Sequence, residues 1–330
     1  MTDQPQLGLF GALEGDESDS GASEFTLMSP PDGLRDVPLY LGTSSWNFAG
    51  WAGLVYPEGI RPEQLRKTSL SLYARHPLFG AVGVDRTYYR PVTARQFAEY
   101  AEQVPDDFRF IVKAHREIST PPEQMPRSAR APLRERFLDA EYAARVVAEP
   151  AAIGLGHKCG GIVFQFPPLR GRLGREPVHF AGRLNAFFAA LPAGPTYFAE
   201  IRNPDLYTEA YFAALKDAGA LHCYTVHPGA PSIAEQRRIA GEVGVDGVLV
   251  RWNLRRDRRY EEAREAFAPF NRLVAEDLET RLEIAALISE AFQTGKRAIV
   301  LANNKAEGSA PLTLQKLSTV PGLTLQRLKS

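Results

Sequence analysis

The sequence predicts a (β/α)₈ TIM-type barrel preceded by a disordered tail. Short runs rich in Val, Ile, Phe, Tyr and Thr recur along the chain, and a stretch long enough for a helix follows each of them. Strands that alternate with helices form parallel sheets with right-handed crossovers, and eight such units suffice to close a barrel. The eight runs cover residues 39–46, 81–89, 108–116, 161–166, 196–202, 220–227, 247–253 and 297–304.

Charge divides the chain into an acidic tail, residues 1–37, and a barrel, residues 38–330. The chain has 330 residues and a net charge of zero, but residues 1–36 carry eight acidic side chains against Arg35 alone. The barrel is therefore moderately basic. The tail is rich in Gly, Ser and Asp, so it cannot bury enough apolar surface to offset the entropy lost on ordering, and we expect disorder.

Nearly every run ends in polar or aromatic side chains. In a barrel of this class, residues at the carboxyl ends of the strands line the pocket. In chain order the candidates are Trp46; Asp85, Tyr88 and Tyr89; Lys113 and His115; Gln165; Glu200 and Arg202; His227; Arg251 and Asn253; Asn303 and Asn304.

Chemistry divides these candidates into two groups. Glu200 and Arg202 are two residues apart, as are Lys113 and His115, so each pair is expected to face the barrel interior. We expect Glu200, Asp85, His115 and Lys113 to be catalytic, and the other candidates to bind an anion or substrate. A desolvated Glu200 would act as an acid or base, and its alternative role is a structural ion pair with a neighbouring cation.

Metal ligands are few. Only Asp85, His115, Glu200 and His227 are available at the strand ends, which is too few for a multinuclear site. We assign no metal ligand, and at most one divalent cation, Mg²⁺ or Mn²⁺, is compatible with these carboxylates. No Walker loop or dinucleotide-binding glycine pattern occurs in an appropriate context.

One apolar segment interrupts the tail, at Gln6-Leu7-Gly8-Leu9-Phe10. It resembles the short peptide by which bacterial polymerases and repair proteins dock on the DNA sliding clamp. The resemblance implies that Gln6 hydrogen-bonds at the rim of a groove while Leu7, Leu9 and Phe10 fill it. The alternative is an apolar cluster that folds back onto the barrel.

A second resemblance covers residues 39 to 315 of the barrel. The segments that carry it are GTSSW at 42–46, YPEG at 56–59, TYYR at 87–90, PDDFRF at 105–110, VKA at 112–114, FQFPP at 164–168, EIR at 200–202 and NN at 303–304. Together they resemble the DUF72 (YecE-like) family. The resemblance implies a TIM-type barrel and no established activity. The chain departs from the family wording at several positions, among them Gly83 and Asp85, where Glu and Asn are usual, and Asn253, where a His is frequent.

Arginines are concentrated in the loops after the third, fourth and seventh runs. They are Arg127, Arg130, Arg134 and Arg136; Arg170, Arg172 and Arg175; Arg255, Arg256, Arg258 and Arg259, with Trp252 and Tyr260 beside the last group. Arginines near aromatic residues suit phosphate pairing and base stacking. Ordinary solvated helix starts with Glu partners explain them equally well.

Three functions follow from these patterns. The first is a DNA-processing barrel, a nuclease or repair hydrolase, recruited by the sliding clamp. The second is a metabolic enzyme acting on a small anionic, phosphorylated substrate, and the third is a non-catalytic adaptor that binds DNA or the clamp. No long apolar run or signal sequence occurs, and the two cysteines lack metal-binding spacing, so we expect a cytoplasmic protein without a membrane partner.

Overall fold

The computed structural model describes residues 39–125, 136–241, 247–320 and 323. Eight parallel strands close a barrel in chain order, with β1 paired to β8. The predicted fold class is confirmed. The clamp-like peptide at Gln6–Phe10 and the loop arginines Arg127, Arg130 and Arg134 lie outside the described residues.

Each strand overlaps one predicted run. The strands are Leu39–Thr43 (β1), Ala81–Val84 (β2), Arg109–Lys113 (β3), Cys159–Gln165 (β4), Tyr197–Glu200 (β5), Leu221–Val226 (β6), Val248–Trp252 (β7) and Ala298–Ala302 (β8). Strand β4 begins two residues before its run, and several strands end earlier than the runs do. After β2, for example, Asp85–Tyr88 forms a 3₁₀ helix.

Helices follow the strands and surround the barrel. Within the described ranges they are Pro62–Arg75 (α1), Ala94–Ala101 (α2), Arg116–Ser119 (α3), Ala140–Ala143 (α4), Glu149–Leu155 (α5), Gly171–Arg175 (α6), Pro177–Ala189 (α7), Glu209–Asp217 (α8), Ile233–Ala240 (α9), Tyr260–Phe267 (α10), Leu278–Gln293 (α11) and Ala310–Ser318 (α12). A π-helical turn, Ala144–Ala148, joins α4 to α5.

Side-chain caps mark several helix starts. The side chains of Thr93, Thr208, Ser232 and Asp277 accept hydrogen bonds from backbone N–H groups in the first turns of α2, α8, α9 and α11. These bonds satisfy donors that have no partner inside the helix.

Alternation along the strands creates an apolar layer inside the barrel. Its members are Ala81, Ile111, Val163, Phe198, Cys223, Leu249, Ile299 and Leu301. Two residues further along, the same alternation turns Lys113, Gln165, Glu200, Thr225 and Arg251 inward. The interior thus changes from apolar to charged at the carboxyl ends of the strands, which we call the mouth. A larger apolar core fills the space between strands and helices.

None of the described helices is long and apolar enough to cross a membrane.

Barrel closure depends on close contact between β1 and β2 at Gly42. A Cβ atom on Gly42 would overlap the backbone carbonyl of Ala81. We expect Gly42→Ala to lower the free energy of unfolding by about 1–3 kcal/mol, because the two strands would have to move apart. Gly182→Ala in α7 is the matched control, since its added Cβ meets no atom within 4 Å. It should be neutral or stabilising by up to about 1 kcal/mol in the same urea titration. Equal losses in the two variants would contradict this account.

Candidate functional site

A buried carboxylate lies at the centre of the mouth. Glu200, the last residue of β5, is fully buried. Its Oε2 atom accepts a hydrogen bond from Nη1 of Arg251. Its Oε1 atom accepts from Nη2 of Arg202 at 3.2 Å, from Nδ2 of Asn253 at 3.2 Å and from Oγ1 of Thr225 at 3.4 Å. Both carboxylate oxygens are therefore in use.

Charge neighbours determine the protonation of Glu200. Burial alone would raise its pKa, but the positive charges of Arg251, Arg202 and Lys113 outweigh burial and lower the pKa to about 2. Glu200 is thus an ionised, ion-paired carboxylate at neutral pH. This geometry favours the structural role over the acid–base role that we also expected from the sequence.

Arg251 crosses the mouth and joins several strands. Besides Glu200, its guanidinium donates to Oε1 of Gln165 at 3.3 Å and to Oδ1 of Asp85 at 3.3 Å. Burial would lower the pKa of Arg251, but Glu200 and Asp85 raise it above its ordinary value. Arg251 therefore stays charged in a buried position.

Lys113, at the end of β3, is a second buried cation with a different environment. Its Nζ atom lies 3.8 Å from the centroid of the Tyr88 ring. Nζ forms no hydrogen bond with any residue that the structure describes, although only 9% of Lys113 is exposed. Burial lowers its pKa to about 8; Asp85 opposes this shift, while Arg251 and Arg202 reinforce it.

Lys305, in the loop between β8 and α12, has an environment similar to that of Lys113. It is buried, and its Nζ atom lies 4.5 Å from the centroid of the Tyr260 ring. Burial lowers its pKa to about 8, and Asp85 again opposes the shift. Asp85 therefore interacts with both lysines and, through its hydrogen bonds, with Arg251.

The structure places His115 apart from this cluster. We expected it to share a face with Lys113, but β3 ends at Lys113 and His115 is the residue that precedes α3. Its Nε2 atom is 3.3 Å from the Tyr89 carbonyl, and its Nδ1 atom is 3.8 Å from Oε2 of Glu117. Burial lowers the pKa of His115, against the raising effect of Glu117. The groups that affect His115 are thus not those that surround Glu200.

The two asparagines after β8 organise their own loop. Oδ1 of Asn304 accepts from Nε1 of Trp51 at 3.1 Å and from the Ala310 amide at 2.9 Å. Oδ1 of Asn303 accepts from the backbone amide of Lys305 at 3.1 Å. These bonds hold Lys305 in place.

Three further candidates for anion or substrate binding are His227, Trp46 and Tyr89. Nδ1 of His227 accepts from the Gly229 amide at 3.1 Å, and burial lowers the pKa of this histidine to about 3. Trp46 packs edge-on against Tyr100, with ring centroids 5.3 Å apart. Tyr89 is about half exposed.

Two residues of the mouth, Thr225 and Lys305, were not predicted from the sequence. Thr225 bonds to Glu200 and accepts from Asn253, and alternation back from His227 on the sixth strand would have indicated it. Lys305 lies in a loop, where no periodic signal exists. Its position directly after the two asparagines is the only hint in the sequence.

The electrostatic balance of the mouth is positive. Its carboxylates are Glu200 and Asp85, and its cations are Lys113, Arg202, Arg251 and Lys305. Across the described ranges, no three His, Cys, Asp or Glu side chains come together as metal ligands would. The described cluster therefore has more cations than carboxylates.

A cavity of about 370 Å³ adjoins the mouth at Asp85. We call it the side cavity. Its lining includes Trp46, Arg66, Lys67, Gly83, Arg86 and Tyr100. This volume is in the range of small-molecule pockets.

Four of the eight described loop arginines form ion pairs within the protein. Arg136 pairs with Glu117 at 2.5 Å, Arg172 with Glu176 at 2.8 Å, Arg255 with Asp257 at 2.8 Å and Arg259 with Glu262 at 4.0 Å. Arg170, Arg175, Arg256 and Arg258 pair with no described carboxylate. Trp252, expected beside these arginines as a stacking surface, is fully buried on β7. This residue is therefore not available for base stacking.

An eight-stranded parallel barrel with a charged mouth defines the molecule as a TIM-barrel protein. The chain belongs to the DUF72 family, "Protein of unknown function DUF72", whose model matches residues 40–329. The family resemblance seen in the sequence is confirmed.

Solved structures agree with this assignment. A DUF72 family protein from Enterococcus faecalis is similar with a TM-score of 0.60 and 18% identity, over 86% of this chain and 96% of that one. A DUF72 family protein from Thermotoga maritima is similar with a TM-score of 0.57 and 22% identity, over 88% of this chain and 99% of that one. At these identities the likeness concerns the fold. No curated protein matches the chain.

The ion pairs of Glu200 predict a specific acid sensitivity. Because its folded pKa of about 2 lies below the ordinary value of 4.5, its stabilising contribution is complete above about pH 4.5 and is lost as the pH falls toward 2. Glu200→Gln should lower the free energy of unfolding at pH 7 by about 3–5 kcal/mol, because Arg251 would lose its buried partner. The difference between variant and wild type should shrink in acid.

Denaturant titrations from pH 7 to pH 3 measure this effect. Glu99→Gln is the control, because Glu99 pairs with Arg95 on the surface of α2. It should change the free energy of unfolding by about 1 kcal/mol at most. A pH-independent effect of Glu200→Gln would be inconsistent with an ionised Glu200.

Proposed function

We propose that the mouth binds a small anionic molecule carrying phosphate or carboxylate, and that the protein is a metabolic enzyme acting on such a compound. The observation that carries this proposal is Lys113. Lys113 is a buried cation in a cluster where cations outnumber carboxylates, and its Nζ atom forms no hydrogen bond with a described residue. A buried charge without a paired partner is costly, so a site of this kind suits a ligand of opposite charge.

The carboxylates already present do not fill this role. Glu200 uses its oxygens on Arg251, Arg202, Asn253 and Thr225. Arg202 donates from Nε and Nη2 to Glu200, and its Nη1 atom forms no hydrogen bond with a described residue. An entering anion therefore finds donors on Arg202 as well as on Lys113.

The surroundings strengthen such an interaction. Coulomb attraction between an anion and these cations is several-fold stronger in a buried mouth than in water. Arg251, held by Glu200 and Asp85, contributes positive potential without moving. The ligand would thus meet a preorganised site.

In our proposal, Lys113 is the residue of the mouth that transfers protons to and from the substrate. Glu200 remains ionised and paired at neutral pH, which does not suit a proton donor. The pKa of Lys113, about 8, lies close to neutrality. An amine of this kind exchanges protons with a bound substrate at physiological pH.

The DNA-based hypotheses stay predictions. Recruitment by a sliding clamp depends on Gln6–Phe10, which lies outside the described residues. In the described parts of the basic loops, four of the eight arginines already pair with carboxylates of the protein. The contacts of the mouth favour the small anion over the nuclease and over the adaptor.

Calorimetric titration with inorganic phosphate and pyrophosphate tests the proposal. We expect saturable binding that weakens at least about tenfold, or 1.4 kcal/mol, in Lys113→Met. Lys216→Met is the control, because Lys216 is exposed in the last turn of α8. Binding that is absent, or equal in the two variants, would refute the proposal. A short DNA duplex titrated in parallel tests the alternative, which predicts tighter binding to the duplex.

The pH dependence of binding gives a second test. The bound anion stabilises the ammonium form of Lys113, whose pKa is about 8 in the free protein. Affinity should therefore fall as the pH rises above about 8, after correction for ionisation of the ligand. Lys113→Arg should keep its affinity in this range, because a guanidinium stays charged. If the affinity of the wild type were as independent of pH as that of Lys113→Arg, cations other than Lys113 would bind the anion.

A further inference from the structure

We propose that Lys113 is a nucleophile that forms a Schiff base with an aldehyde or ketone, and that the side cavity holds the phosphate or carboxylate of the same substrate. This inference rests on the proposed function, because it places the anion beside the mouth. It adds the reacting group, the reaction type and the substrate class.

The position of Lys113 suits covalent chemistry. The amine lies at the end of a barrel strand, over the Tyr88 ring and within the electrostatic influence of Arg202, Arg251 and Asp85. It forms no hydrogen bond with a described carboxylate. Its nitrogen is therefore not committed to a structural ion pair.

A nucleophilic lysine must also be partly uncharged. Burial and the two nearby guanidinium groups disfavour the ammonium form and bring the pKa of Lys113 to about 8. Lysines that are desolvated or placed beside other cations are activated in this way for attack on carbonyl groups. The Tyr88 ring stabilises whatever fraction remains charged.

The reaction balances without an oxidant or reductant. The neutral Nζ lone pair attacks the carbonyl carbon, the carbonyl π electrons move to oxygen, and a proton passes from nitrogen to that oxygen. The carbinolamine then takes up one proton and loses water, which leaves a protonated C=N bond between Lys113 and the substrate. Asp85 is the carboxylate placed to carry these protons, since it interacts with Lys113 and is only partly buried.

The side cavity supplies room and charge for the rest of the substrate. Asp85 belongs to the mouth and also lines this cavity, so it is the residue that the two sites share. Arg66 and Lys67 line the cavity and form no ion pair with a described residue, and Arg86 donates to the hydroxyl of Tyr100 at 2.5 Å. These cations suit an acidic group a few bonds from the carbonyl.

Gly83 contributes only backbone to the lining of the side cavity. A Cβ atom on Gly83 would lie 2.9 Å from the Ser44 carbonyl oxygen, because β1 packs closely against β2 here. A carbonyl-reactive amine on one side of Asp85 and cations on the other suit a small phosphorylated or carboxylated aldehyde or ketone.

Lys305 is the competing amine, and the structure favours Lys113 over it. The charges that act on Lys305 besides Asp85 are Arg264 and Glu261, both on α10. Lys113 instead has two guanidinium neighbours and lies on a barrel strand.

Borohydride trapping tests the inference on the full chain. The protein is incubated with glyceraldehyde 3-phosphate and sodium borohydride, and adducts are located by peptide mass spectrometry. We expect one borohydride-dependent adduct, on Lys113, formed at least about tenfold faster than with unphosphorylated glyceraldehyde. Lys113→Arg should abolish it, and Lys216→Arg should leave it unchanged. The double variant Arg66→Gln, Lys67→Gln should reduce the advantage of the phosphorylated probe.

Other outcomes overturn the inference in distinguishable ways. An adduct on Lys305, or labelling spread over exposed lysines, would show that Lys113 is not the nucleophile. Phosphate binding that depends on Lys113 without any adduct would refute the Schiff base and leave the anion site intact. Absence of both would refute both proposals. Thermal unfolding of each variant establishes that it is folded.

Discussion

The ion pair between Glu200 and Arg251 is the constraint around which the mouth is built. Both side chains lie inside the barrel, where an isolated charge would be very unfavourable. The pair connects β5 to β7, and Thr225 on the intervening strand bonds to Glu200. Because Glu200 is saturated by this arrangement, the remaining cations must find other partners, and Asp85 is the only other carboxylate of the cluster.

A rigid network of this kind has a chemical effect beyond stability. Paired charges that cannot rotate present a fixed potential to whatever enters the mouth, so little reorganisation is needed on binding. The two lysines differ from the arginines in this respect. Lys113 and Lys305 rest on aromatic rings and can change protonation near neutral pH. The mouth thus combines a fixed component with a titratable one.

Sequence reasoning predicted the barrel and much of the mouth for one physical reason. Strand side chains alternate strictly, so Glu200 and Lys113 could be assigned to the interior from spacing alone. The same rule failed where strands stop. His115 is two residues beyond Lys113, but the chain has left the strand there, and its path depends on contacts that no local pattern encodes. Lys305 was missed for the same reason, because tertiary bonds within its loop position it.

Closure of the barrel by parallel strands places the amino ends of all eight strands at one end and the mouth at the other. Leu39, the first described residue, begins β1 and lies at the amino end. The first described residue and the mouth are thereby separated by the length of a strand.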